Sequence, residues 1–127
     1  MPDVMVDTSA WVEFFRSGEG PTSDAVTGLL SEGAAALCGV VEMELLQGVR
    51  AKEQATLAEL LEALPYVEVE RQDFVAAGEL LASLRRAGTL IPATDALIAA
   101  CCMRRGMPLL TLDRHFDAIP GLERRRK

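Results

Sequence analysis

The stretch "VMVDTSAW", residues 4–11, runs three apolar residues directly into an aspartate, two hydroxyls and a tryptophan. Val4, Met5 and Val6 form a short unbroken apolar run, which is how a strand covered on both faces reads. Asp7, Thr8 and Ser9 are of the type that starts a helix, because their side-chain oxygens accept from the first free N–H groups. A strand passing straight into a helix is the first half of a βαβ unit. Asp7 then has two readings: cap of the following helix, or a charge displayed at the edge of a sheet.

The same alternation continues outward from this stretch. Short apolar runs at 4–6, 35–38, 66–69 and 109–112 read as strands, with a last short one near Leu122. Helical patterns fill the intervals at about 9–16, 23–31, 40–49, 52–64, 72–87 and 95–105. Strand and helix in turn predict a mostly parallel sheet of four or five strands with helices on both faces, a three-layer α/β/α arrangement. The chain has 127 residues, which fits one domain over 1–127. In such sheets ligands lie beyond the carboxyl ends of the strands, so polar residues just after strands are the ones to inspect.

Composition narrows the function classes. No run approaches the roughly 18 apolar residues of a membrane span, and the start "MPD" lacks the basic and apolar regions of a signal peptide, so a cytoplasmic, membrane-free protein is expected. Cys38, Cys101 and Cys102 make no Cys-x-x-Cys pair and are odd in number, which fits small buried hydrophobes rather than a zinc site or a disulfide framework. The formal net charge of −6 argues against a general nucleic-acid binder, although the basic residues are clustered. Arg85 and Arg86 precede Gly88, and Arg104 and Arg105 precede Gly106, the arrangement expected at helix C-termini. The terminal run Arg124, Arg125, Arg126 and Lys127 has no such local explanation.

Four acids stand where an α/β sheet would gather them. Asp7 follows the first strand and Asp113 follows "PLLTL". Asp95 opens the apolar helix "ATDALIAACC", where Thr94 is a ready cap and leaves Asp95 surplus. In "GVVEMELLQGV", Glu44, Gln47 and Gly48 share a narrow polar stripe at about 100° per residue, while Glu42 projects among Leu45, Leu46 and Val49. Carboxylates converging on one edge repel one another unless a cation neutralises them. A hard divalent ion, magnesium or manganese, takes oxygen ligands and keeps positions for water and phosphate oxygen, which suits phosphodiester hydrolysis.

"VDTSAW", "EMELLQG", "ATDALIAA" and "LLTLDRHFD" together resemble, in order and across essentially the whole chain, the four acidic blocks of PIN-domain ribonucleases, and the small size resembles the VapC toxins of type II toxin–antitoxin pairs. The resemblance implies a Mg2+-dependent endoribonuclease, with Mn2+ as the other candidate ion, in which Asp7, Glu44, Asp95 and Asp113 bind metal and carry catalysis. Thr8 and Ser9 would orient Asp7 or a water, or cap the first helix; Thr111 matches a supporting hydroxyl, and Asp117 is a reserve acid. It also implies an RNA substrate, a cognate VapB-like antitoxin and a homodimer. Cations available to meet RNA phosphate are Arg85, Arg86, Arg114, Arg124, Arg125, Arg126 and Lys127.

Other readings fit less well. His115 is the only histidine, so a ribonuclease mechanism with separate histidine acid and base is excluded; in a post-strand turn it reads as structural or exposed. A phosphoacceptor receiver domain needs a lysine at a late strand end, and the only lysines are Lys52 and Lys127. A haloacid-dehalogenase-like phosphatase needs an aspartate at position 9, which is Ser9. A PIN-like fold kept only as a protein-binding module is the remaining alternative, weakened by the presence of all four acids. Trp11, Phe14, Phe15, Met43 and Met103 read as packing.

Overall fold

The computed structural model of the protein describes residues 3–125. Its elements are β1 (Val4–Val6), α1 (Thr8–Ser17), α2 (Pro21–Ser31), β2 (Ala35–Cys38), α3 (Gly39–Gly48), α4 (Ala51–Glu62), β3 (Tyr66–Val67), α5 (Arg71–Arg86), α6 (Ala93–Arg105) and β4 (Leu109–Leu110), followed by a 3-10 turn over Arg114–Ala118. The strands form one parallel sheet in the order β3-β2-β1-β4, enclosed as the middle of three α/β/α layers. β1 and β2 coincide with their expected ranges. β3 and β4 are shorter than expected, and in place of a fifth strand a single parallel bridge joins Leu109 to Arg124.

Sheet order explains where a site can form. The chain builds outward from β1 through β2 to β3, then returns to place β4 on the other side of β1. The β1–β4 seam is therefore the point where connections diverge, and parallel sheets leave a crevice there at their carboxyl ends. Asp7 N–H continues the ladder by donating to Leu110 O at 2.9 Å, so the residue after β1 is held rigidly beside the end of β4.

Apolar side chains lock this frame. Met5, Val6, Trp11, Leu37, Ile98, Leu109, Leu110 and Phe116 are fully buried, each large one stabilising the fold by roughly 1.5–3 kcal/mol. α6 is buried from Asp95 to Cys102 apart from Leu97, matching its apolar sequence, and the three cysteines are free and buried as expected. It ends at Gly106, whose φ of 62° is a left-handed conformation that glycine adopts without the Cβ clash. Met43 departs from the expectation: it is 55% exposed, because it lies on the side of α3 turned away from the sheet. Phe15 is partly exposed but stacks on Trp11, their ring centroids 5.8 Å apart. No helix of the described residues is long and apolar enough to cross a membrane.

Candidate active site

Asp7 is the N-cap residue of α1, yet its side chain makes no capping bond. Its carboxylate, 3% exposed, instead accepts on Oδ2 from Ser9 Oγ at 2.8 Å and from Thr111 Oγ1 at 2.7 Å. The two hydroxyls are 3.2 Å apart, and they in turn accept the backbone N–H groups of Leu112 and Asp113 at 2.9 and 3.0 Å. Asp7, Ser9 and Thr111 thus tie the end of β1 to the segment after β4. Thr8 donates to Glu44 Oε1 at 2.5 Å, which brings the polar stripe of α3 to the same edge. Neither Thr8 nor Ser9 caps α1: both hydroxyls are spent on carboxylates, which corrects the capping expectation.

Asp95 reaches the edge from α6. Its helix begins at Ala93 with Pro92 in the N-cap position, so Thr94 lies inside the first turn and is not the cap. Asp95 is 7% exposed. Burial pushes its carboxyl up to about 6, the bond to His115 opposes that shift, and the charges of Asp113 and Asp7 add to it. Asp113 accepts the N–H of His115 at 2.9 Å, starting the 3-10 turn, and this turn folds the His115 ring back onto the acids. His115 Nδ1 lies 3.0 Å from Asp95 Oδ2 and 3.1 Å from Asp113 Oδ1. Its ring is half exposed, as expected for a turn, but it belongs to the cluster. The clue available in the sequence was its position two residues after Asp113, where an aspartate at a turn start accepts from the backbone.

The structure therefore brings Asp7, Asp95 and Asp113 within electrostatic reach of one another and draws Glu44 in through Thr8. Among the described residues no Lys or Arg pairs with any of these four acids. The donor set suits a hard divalent cation: carboxylates, among them the buried Asp95 whose carboxyl is pushed up by burial and by its acidic neighbours, and a group of Asp95, Asp113 and His115 whose ligand atoms all lie within 4.8 Å. Asp117 stands apart, paired with Arg124 on the surface. Arg85, Arg86, Arg114 and Arg125 are exposed; Arg126 and Lys127 lie outside the described residues. Arg104 and Arg105 do more than complement a helix end, since both bond to the buried Asp73 of α5.

Beside Glu44 an open groove of about 830 Å³ runs between α1, α3 and α4, walled by Val12, Phe15, Leu45, Leu57 and Leu60.

The model of the PIN domain matches residues 4–122. The chain belongs to the PIN domain family. Among relatives of this PIN domain, ribonuclease VapC11 of Mycobacterium tuberculosis is 40% identical over 121 residues, covering 91% of this chain and 90% of the relative; a VapC ribonuclease of Mycobacterium bovis matches to the same extent. The fold of this PIN domain is also that of the DNA-bound VapBC of Salmonella typhimurium, with a TM-score of 0.83, 24% identity and 98% of each chain covered. Family membership sets aside the receiver and haloacid-dehalogenase readings.

Proposed function

We propose that this PIN domain is a divalent-metal-dependent endoribonuclease, the toxin of a toxin–antitoxin pair, acting in the cytoplasm as a single domain of 1–127. The observation that carries this reading is Asp95: a buried carboxylate facing Asp7 and Asp113 with, among the described residues, no Lys or Arg to neutralise it. When bound there, Mg2+ or Mn2+ supplies activation of water and stabilisation of the phosphodiester oxygens.

The protein's own residues prepare the site. Both hydroxyl bonds to Asp7 fall on Oδ2, so among the described residues Oδ1 has no protein partner and is the oxygen left for a ligand. Ser9 and Thr111 keep that carboxylate from rotating, since their own oxygens are pinned by backbone N–H groups. Thr8 does the same for Glu44. Asp113 is oriented by its bond to His115 N–H. Arg85, Arg86, Arg114 and Arg125 are the exposed cations able to draw RNA phosphate toward an otherwise acidic protein.

The antitoxin and homodimer complete the reading. Relatives of this fold occur as VapBC complexes, and the apolar groove that reaches Glu44 offers an antitoxin segment a seat adjoining the acids. The test is cleavage of structured cellular RNA. It should require Mg2+ or Mn2+, stop in EDTA, and be lost in both Asp7→Asn and Asp95→Asn proteins that unfold normally. Undiminished cleavage in EDTA would refute it.

A further inference from the structure

His115 is not one of the acids that define the site, yet its ring is placed as they are. The 3-10 turn at Arg114–Ala118 is short and anchored at both ends: Asp113 accepts the His115 N–H, and Phe116 is buried in the core. The backbone at 115 is thereby set, and the imidazole has one nitrogen directed between two carboxylates, 3.0 Å from Asp95 Oδ2 and 3.1 Å from Asp113 Oδ1. Two donors bound at about 2.1 Å and at right angles around one ion stand about 3 Å apart, so the ring nitrogen has the spacing of a neighbouring ligand without moving. Nδ1 of a neutral imidazole carries a lone pair when the proton sits on Nε2, and the half-exposed ring leaves Nε2 free to keep it.

We propose that His115 Nδ1 is a direct ligand of the ion held by Asp95 and Asp113, and that this nitrogen makes the site prefer Mn2+ to Mg2+. The inference rests on the proposed function in requiring that the acids bind a divalent ion. Mg2+ is a hard cation served by oxygen and reluctant to shed water, whereas imidazole is a normal ligand of first-row transition ions. A site of carboxylates alone discriminates weakly between the two; replacing one oxygen by nitrogen favours manganese.

Because the chain has one histidine, the signature is unambiguous in untagged protein. Mn2+-loaded wild type should show the 14N electron spin-echo modulation of a directly bound imidazole, and His115→Ala should lack it. By calorimetry His115→Ala should weaken Mn2+ binding at least tenfold, about the lower end of what removal of an outer-shell partner costs, and weaken Mg2+ binding much less. His115→Asn, which keeps a hydrogen-bond donor beside the acids, should not restore the manganese preference. Unfolding midpoints in EDTA check that the variants fold. Bound Mn2+ without 14N modulation, equal loss for both ions, or rescue by Asn would overturn the inference and leave the acidic metal site standing. Failure of wild type to bind either ion would overturn both.

Discussion

Asp73 on α5 and Asp95 on α6 are both buried, and burial works against the charge of each. Asp73 is then fully served. Its Oδ1 receives Arg104 at 2.6 Å and Arg105 at 2.9 Å, and its Oδ2 receives Arg105 at 3.1 Å and the Glu70 N–H at 2.7 Å. The desolvation is outweighed by these donors, which hold its carboxyl well below the usual range. Asp95 has a single nitrogen, that of His115, and two repelling carboxylates, so its carboxyl is pushed up to about 6. The contrast separates two uses of a buried acid. One is closed by cations of the protein and fastens α5 to α6; the other is left short of positive charge, which is the condition for accepting a cation from solution.

The sharpest way to break the contrast is to neutralise each acid in turn. Asp95→Asn should lower RNA cleavage by about three orders of magnitude, comparable to removing a charge-stabilising group from an active site. Its metal-free stability should not fall, because the lost charge was opposed by its neighbours; a cleavage assay beside urea unfolding checks both, and retained cleavage would remove Asp95 from the site. Asp73→Ala should act the other way, costing about 3 kcal/mol by stranding Arg104 and Arg105, while cleavage per folded molecule stays near wild type.

A pH series sharpens the same pair in metal-free protein. Because Asp95 titrates higher folded than unfolded, its penalty is complete above about pH 6 and is relieved as pH falls toward 4, on the order of 3 kcal/mol. The stability advantage of Asp95→Asn over wild type should therefore shrink across that window. Asp73 is depressed when folded, so its contribution is complete above about pH 4 and is lost only below that, toward its depressed value. Wild type and Asp73→Ala should converge only in acid. A gap between Asp95→Asn and wild type that stayed constant from pH 7 to 4 would contradict the assignment.

The smallest effect concerns arginines outside both clusters. Replacing Arg85 and Arg86 together by Gln should raise KM a few-fold and reduce the salt dependence of RNA binding by a slope of about one to two. An unchanged slope would assign them to the C-terminus of α5 alone.

Some of this was legible in the residues and some was not. The apolar runs at 4–6 and 35–38 could be read to the residue, since each is unbroken and is stopped at its carboxyl end by Asp7 or Gly39. Glu44 was separated from Glu42 by helical angle, and the bond from Thr8 places Glu44 at the sheet edge. Asp95 was singled out on the ground that Thr94 caps α6, and that ground fails because the helix starts at Ala93, with Pro92 as its N-cap, two residues earlier than expected. Met43 was read as core from its type, but apolar type does not say which side of a helix finds a neighbour. Asp73 passed unnoticed, since nothing local distinguishes it from the other acids of a polar helix.

The amino-acid order by itself determined the succession of strands and helices and the presence of an acid at two strand ends, because periodicity and caps act over a few residues. Only the tertiary structure decided which acids share a site, which arginines are already engaged, and that the one histidine faces two carboxylates. Those outcomes depend on contacts such as Thr111 with Asp7, 104 residues apart, which exist only once β4 is laid beside β1.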